Sequence, residues 1–455
     1  MKKLFFLFAT IAIISCKKQD QWLNKKSNKN DVTPSKLQDY QALLNNDGVM
    51  NASYPSLGLV GSDNYYVTTA TWQSKSTTER NAYVWAADIF EGANSSDWRT
   101  SYQMIAYANL VLDGITRLKV QPSEQQVLNT VKGSALFYRA MGFYNLAALF
   151  TKPFSATTAN SLPGIPLKLT PDVNDRINRG TVAETYNQII KDLDEAESLL
   201  PETPAYKTQP SKPAVNALLS KVYLNMEDYV MAGQKSALVL NANNSLIDFN
   251  SLNTTSTYPL PTFQNDNKEV IFHAQLSTYS IMSGSGFITD SLLYRSYSAN
   301  DLRHSVFYKD AGNGVINFRG SYTGNVYPFA GLGINEIYLI HAEVNARLGN
   351  TTAALNDINA LLIKRWKTGT FLPLTATNAD DALNKILLER RKELPFTANI
   401  RWEDLRRLNK DTRFAKAIYR IVNNQTYILP PNDNRYVYPI PENEIQFTGL
   451  EQNPR

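Results

Sequence analysis

The spacing of hydrophobic and polar positions changes character along the chain. From Trp98 onward the period is helical. Trp98, Ile105, Leu112 and Ile115 fall on one face, with Tyr102, Ala108 and Asn109 beside them. Ser123-x-x-Gln126, after Pro122, has the form of a capping box and predicts a helix through about Leu149. Thr181-x-x-Glu184 repeats the device. It opens a helix with Tyr186, Ile189, Ile190, Leu193 and Ala196 on its buried side, stopped near Pro201. Two later stretches share one design: Ala217 to Leu224 followed by Tyr229 and Ala232, and Ile337 to Ala342 followed by Gly349 and Ala354. Each reads as a helix, a short polar turn and a second helix that turns a small residue toward the first. That is the logic of tetratricopeptide pairs, in which small residues let helices approach closely.

The pairs are not evenly spaced, because long segments without helical period interrupt them. These are Tyr54 to Ser96, Lys152 to Gly180 and Leu246 to Gly331, rich in Asn, Ser, Thr, Gly and Tyr. Glu269 to His273 reads as a short strand within the last. The fold class expected is mostly α: tetratricopeptide-like helix pairs forming a scaffold, with long loop-rich insertions. Loops on a rigid scaffold are where binding groups concentrate.

The first residues follow another pattern. Lys2 and Lys3 precede an apolar run from Leu4 to Ile14, too short for a mature membrane span of about 20 residues. It ends in Ile13-Ile14-Ser15-Cys16, which resembles a bacterial lipobox; Cys16 is the only cysteine in the chain. The expectation is a signal peptide over 1–15, lipidation of Cys16, and a polar tether over 16–31. Acylation at Cys16 would anchor the chain in membrane lipid, each buried CH₂ adding about 0.8 kcal/mol. Residues 32–455 then form one domain, with an N-terminal half over about 32–240 and a C-terminal half over about 260–455.

Composition narrows the function. A formal charge of +5 over 455 residues is no footprint for nucleic acid. One cysteine excludes a disulfide framework and a cysteine-based zinc site, and three scattered histidines argue against a metal centre. No cofactor loop, catalytic constellation or metal set is expected. Tyrosine is the unusual feature: 25 Tyr against 19 Phe, with 6 Trp. Such rings serve wet surfaces as well as cores.

Five segments in order carry a family resemblance. Lys132 to Ala140 with Phe143 to Leu146 is one, and Arg179 to Tyr186 with Lys191 to Leu193 is the next. Glu336 to Glu343 with Leu348-Gly349 is the third, and Leu388 to Leu394 with Arg401-Trp402-Glu403-Asp404-Leu405-Arg406-Arg407 the fourth. Tyr438 to Ile445 with Gln452-Asn453-Pro454 closes the set. Behind a lipobox, these resemble the SusD/RagB family of outer-membrane nutrient-uptake lipoproteins. The resemblance implies a non-enzymatic, lipid-anchored protein on the outer membrane, facing the cell exterior. Its partners would be a nutrient, foremost an oligosaccharide, and a SusC-like TonB-dependent transporter. A peptide-binding RagB-like protein, a protein-binding helical scaffold and a surface glycosidase stand as alternatives.

Glu389 and Glu393 share a helix face, as a glycosidase pair could. Arg390, Arg391 and Lys392 between them favour a charge-paired scaffold instead. Glu343 and Arg347 read the same way, and His341 does not make a zinc-helix spacing. The tyrosines on helix faces, Tyr186, Tyr223 and Tyr338, read as core. Insertion residues are the ligand candidates: Asn64, Tyr65, Tyr66, Trp72 and Arg80 in the first, and Tyr279, Tyr297 and Tyr322 in the last, with Tyr294, Tyr308 and Tyr327 nearby. An aromatic face stacks on the C–H face of a sugar for about 0.5–1.5 kcal/mol, and Asn or Arg beside it bonds hydroxyls. A shallow site of this kind implies a Kd of about 0.1–1 mM.

Overall fold

The computed structural model describes residues 34–172, 174–284 and 286–455. Cys16 and the tether lie outside the described residues. Among the described residues nine longer helices carry the scaffold: α1 Ser96–Ile115, α2 Gln125–Phe150, α3 Val182–Leu199, α4 Lys212–Met226, α5 Tyr229–Ala242, α6 Ile334–Arg347, α7 Thr351–Leu362, α8 Ala379–Glu393 and α9 Ile400–Leu408.

Local chemistry starts several of them. The Trp98 amide donates to the Ser95 hydroxyl at 3.3 Å and begins α1. At α3 the box closes as expected: the Thr181 amide donates to Glu184 Oε2 at 2.7 Å, and the Glu184 amide to Thr181 Oγ1 at 3.1 Å. Before α2 the box is displaced. Gln121, not Ser123, pairs with Glu124 through the Gln121 amide at 3.2 Å. Pro122 sits at the first position of that turn, where its missing N–H costs nothing.

Both expected helix pairs form. α4 packs on α5 and α6 on α7, with Ala232 and Ala354 fully buried between partners. α1, α2 and α3 pack in sequence ahead of them. On α3, Tyr186, Ile189, Leu193 and Ala196 are buried while Ile190 is half-buried. α6 also packs on α5 and on α8, which joins the two halves of the chain through one contiguous core. The strands form only two-stranded antiparallel sheets. The expected strand appears as Val270–Phe272, paired with Leu332–Gly333.

The first insertion departs from expectation. It holds short helices Leu57–Gly61, Thr69–Gln73 and Thr77–Tyr83, which are too short for a 3.6-residue period to be visible in sequence. Among the described residues no helix is long and apolar enough to cross a membrane.

Candidate functional site

The first and last insertions meet on one face, although about 200 residues separate them. β1 (Tyr65–Tyr66) pairs antiparallel with β2 (Ile288–Thr289), Tyr65 opposite Thr289 and Tyr66 opposite Ile288. Ser76 and Glu79 form a capping box on the helix Thr77–Tyr83 through Glu79 Oε2. The other oxygen, Oε1, accepts the Ile281 amide at 2.9 Å. One carboxylate thus starts a helix and ties the two insertions together. Lys75 Nζ adds a bond to the Ser280 carbonyl at 3.1 Å. A Cβ on Gly286 would stand 2.7 Å from the Thr71 side chain, so a larger residue there would push that side chain aside.

Trp72 lies on the helix Thr69–Gln73 inside this junction. Its indole N–H donates to the Arg80 carbonyl at 3.1 Å, and the ring is half-buried. The Arg80 guanidinium turns back to the Lys75 carbonyl at 2.6 Å. From the C-terminal half, a hairpin of β3 (Ile418–Val422) and β4 (Gln425–Leu429) reaches the same helix: the Asn423 amide donates to Thr69 Oγ1 at 2.8 Å. Tyr66 projects from the strand beside it and is 41% exposed. Tyr279 is half-buried, and its hydroxyl donates to Asp97 Oδ2 at 2.5 Å. Burial pushes its phenol well above the usual range, with Asp97 adding to the rise. Trp72, Arg80 and Tyr66 therefore belong to the junction between the insertions, while Tyr279 ties the last insertion to the start of α1.

Four expected ligand residues do not present themselves to solvent. Asn64 is fully buried; its amide donates to the Pro395 carbonyl and its oxygen accepts from Arg391 Nε at 3.0 Å. Tyr65 is buried because strand alternation turns it inward beside the exposed Tyr66. Its ring packs on Phe287, with centroids 4.6 Å apart, and lies 4.9 Å from the Arg420 guanidinium. Tyr297 is buried and donates to the Lys392 carbonyl at 2.7 Å. Tyr322 is buried and donates to Glu269 Oε2 at 3.0 Å. The Tyr65 hydroxyl donates to the Val60 carbonyl at 2.8 Å, so all three phenols and the Asn64 amide are used by interior acceptors, against the expectation that they face a ligand. Of the nearby tyrosines, Tyr308 is buried, Tyr294 is half-buried and lies tilted by 31° against His304 with ring centroids 4.3 Å apart, and Tyr327 is exposed.

The suspected carboxylate pair is also interior. Arg303, fully buried, binds Asp301, Glu389 at 2.5 Å and Glu393 at 3.2 Å. Arg365, equally buried, binds Glu269 and Glu393, each at 2.9 Å. Lys392 completes the network on Glu389 at 2.8 Å. Glu389 and Glu393 are thus scaffold ions, not a water-activating pair. A second buried network links Lys221, Glu336, Glu403, Arg390, Asp404, Arg407 and Glu343. Glu343 binds Arg407 at 2.5 Å and Arg347 at 2.8 Å. Burial raises its carboxyl, but the two guanidinium groups outweigh burial and hold it at about 2. His341 meets Asp357 at 2.8 Å and touches no other histidine.

An aromatic cleft of about 280 Å³ was not expected. It lies between α1 and the middle insertion, and its walls include Trp98, Tyr102, Ile105, Pro166 and Ile177. Trp98 and Tyr102 fit the buried face of α1 by their spacing. Only the return of the chain through Pro166, whose carbonyl accepts the Tyr102 hydroxyl at 2.9 Å, makes a cleft of them.

The comparisons with known proteins agree with this architecture. A family model described as starch-binding, associating with the outer membrane, matches residues 21–224. A second, described as the SusD family, matches residues 324–455. The chain is 26% identical over 380 residues to SusD-like protein P2 of Formosa agariphila, covering 70% of this chain and 72% of that protein. Among solved structures, a SusD superfamily protein of Bacteroides thetaiotaomicron superposes with a TM-score of 0.75 at 23% identity, over 92% of this chain and 100% of that one. A SusD-like carbohydrate binding protein of Bacteroides vulgatus gives 0.68 at 20% identity, over 91% and 97%. Paired helices, a junction of long insertions and matched sequence models at both ends lead to one conclusion: the chain belongs to the SusD/RagB family.

Proposed function

We propose that the protein is a lipid-anchored capture protein of the outer-membrane surface. It binds a nutrient, foremost an oligosaccharide, and passes it to a SusC-like TonB-dependent transporter. The observation that carries this reading is the junction of the two insertions. It holds Trp72, Tyr66 and Arg80 on a face stiffened by Glu79, where an aromatic ring and polar groups stand side by side. The starch-binding description of the matched family model and the carbohydrate-binding relative support the choice of ligand class. The interior placement of Glu389 and Glu393 supports binding without bond cleavage.

Capture needs no strong affinity, because the ligand must leave again toward the pore. Stacking on one ring and a few hydroxyl bonds are enough for a Kd of about 0.1–1 mM. Lipid on Cys16 would hold the platform at the membrane through the tether 16–31. The test is a glycan screen of the purified protein, followed by calorimetry with Trp72→Ala. Affinity for a confirmed glycan should fall about tenfold or more in the variant, with the melting transition kept. Unchanged affinity removes Trp72 from the site. Turnover of the glycan would replace capture by hydrolysis, and a peptide ligand would replace the sugar. Co-purification of the transporter with the wild-type chain tests the delivery step.

A further inference from the structure

Another cleft, of about 190 Å³, opens where the C-terminus of α2 meets the C-terminus of α9 and the segment 432–437. Its lining contains three cations, Lys152, Arg406 and Lys410, and one carboxylate, Asp433. Asp433 is already held by Arg435, through Nε and Nη2 at 2.9 Å each. Lys410 is itself paired with Glu227 at 2.9 Å, which leaves Lys152 and Arg406 as the lining cations without a carboxylate partner among the described residues.

Arg406 is 5% exposed, and its terminal nitrogens donate to the carbonyls of Ala148 and Thr151 at the end of α2. Among the described residues its hydrogen-bond acceptors are these carbonyls and no carboxylate. Its Nε donates to nothing. Two further lining groups share that condition: the Asn409 side-chain amide nitrogen and the Tyr436 hydroxyl, on residues each 3% exposed. Buried donors without partners cost about 1–3 kcal/mol each, so three around one cleft call for an acceptor there.

The charges give the same indication. Burial pulls Lys152, Arg406 and Lys410 below their ordinary values, and Arg406 adds repulsion to both lysines. An anion among them would relieve both effects. The volume is below the roughly 300–1,000 Å³ of a pocket for a drug-sized molecule, so the guest is one compact group.

From these groups we infer a binding site for a compact oxyanion: a sulfate, phosphate or carboxylate, either free or borne on a sugar. Arg406 Nε, the Asn409 amide and the Tyr436 hydroxyl donate to its oxygens, and Lys152 and Arg406 supply the countercharge. The site shares no lining residue with the Trp72 face, so it does not depend on the proposed function.

Sodium sulfate, titrated calorimetrically at ionic strength held constant with sodium chloride, tests the site; the fixed ionic strength separates binding from general salt effects. One sulfate per chain is expected, with affinity lowered about tenfold by Tyr436→Phe and again by Lys152→Met. Both variants should melt close to the wild type without sulfate, since Tyr436→Phe keeps the ring packed on Trp402 and Lys152 bonds only Asn434 among the described residues. Trp72→Ala should leave sulfate binding unchanged. A second arm titrates glucuronic acid and glucose 6-sulfate against glucose. Binding of the acidic sugars, weakened by Tyr436→Phe, assigns the anion to a sugar; binding of the inorganic ion alone assigns a free ion. No saturable binding of sulfate, phosphate or glucuronate, or equal binding by wild type and both variants, overturns the inference.

Discussion

At the scale of single residues, adjacent identical side chains have opposite fates. Tyr65 and Tyr66 are the same chemistry one position apart, yet one is core and the other surface, because successive strand residues face opposite sides. His273 shows the same dependence on surroundings. It is buried, stacked on Phe263 with ring centroids 4.0 Å apart, and its Nδ1 has no partner. Burial pulls its pKa down to about 4. The unfolded chain, near 6.5, binds the proton more readily in the interval between these values. Stability contributed by neutral His273 is thus full above about pH 7 and is lost as pH falls from about 6.5 toward 4. Melting temperatures across that window should fall in the wild type and fall less in His273→Phe. Parallel curves would remove the histidine as the cause. Glu343 acts in a lower window: its contribution is present above its unfolded value of about 4.3 and is lost as pH falls toward 2.

At the scale of elements, side chains that close local bonds decide where helices begin, and one of them also joins distant segments. Glu79 serves both purposes. Glu79→Ala should cost about 1–3 kcal/mol in urea unfolding, because the Ile281 amide loses its buried acceptor. The same substitution should speed hydrogen exchange at Ile281. A stability loss without faster exchange there would confine Glu79 to its capping role. The β3–β4 hairpin is locally specified as well. Asn423 and Asn424 both take positive φ, 55° and 57°, as a tight two-residue hairpin turn requires. Its Arg420 then lies over Tyr83 and Trp85 of the first insertion, 4.2 Å and 5.5 Å from the ring centroids.

For the whole molecule, buried charges weld the two halves. Lys221 of the N-terminal half lies 3.8 Å from Glu336 and 3.5 Å from Glu403 of the C-terminal half. Cutting the chain near residue 240 would leave that ammonium without either carboxylate. The loss of one partner from a buried pair costs about 3–5 kcal/mol. Arg420 would be removed from three aromatic rings by the same cut. Residues 34–240 expressed alone should therefore show no cooperative melting transition. A sharp transition in that fragment would make the halves separate domains.

Helix positions, the box at Thr181, the two tetratricopeptide-like pairs and the charge-paired reading of Glu389 to Glu393 were legible in the order of residues alone. Helix positions and the Thr181 box rest on contacts within a few positions, where periodicity and side-chain-to-backbone bonds act. Of the partners of Glu389 and Glu393 only Lys392 is that near, and Arg303 and Arg365 come from other segments. Exposure was not legible. Whether a loop tyrosine meets solvent depends on which segment folds over it, and here Tyr322 answers to Glu269 and Tyr65 to Phe287. The oxyanion cleft was equally hidden, because Lys152 and Tyr436 become neighbours only when the end of α2 docks against the chain's last turns. Short-range chemistry set the elements; long-range packing chose which of their side chains were left free to bind.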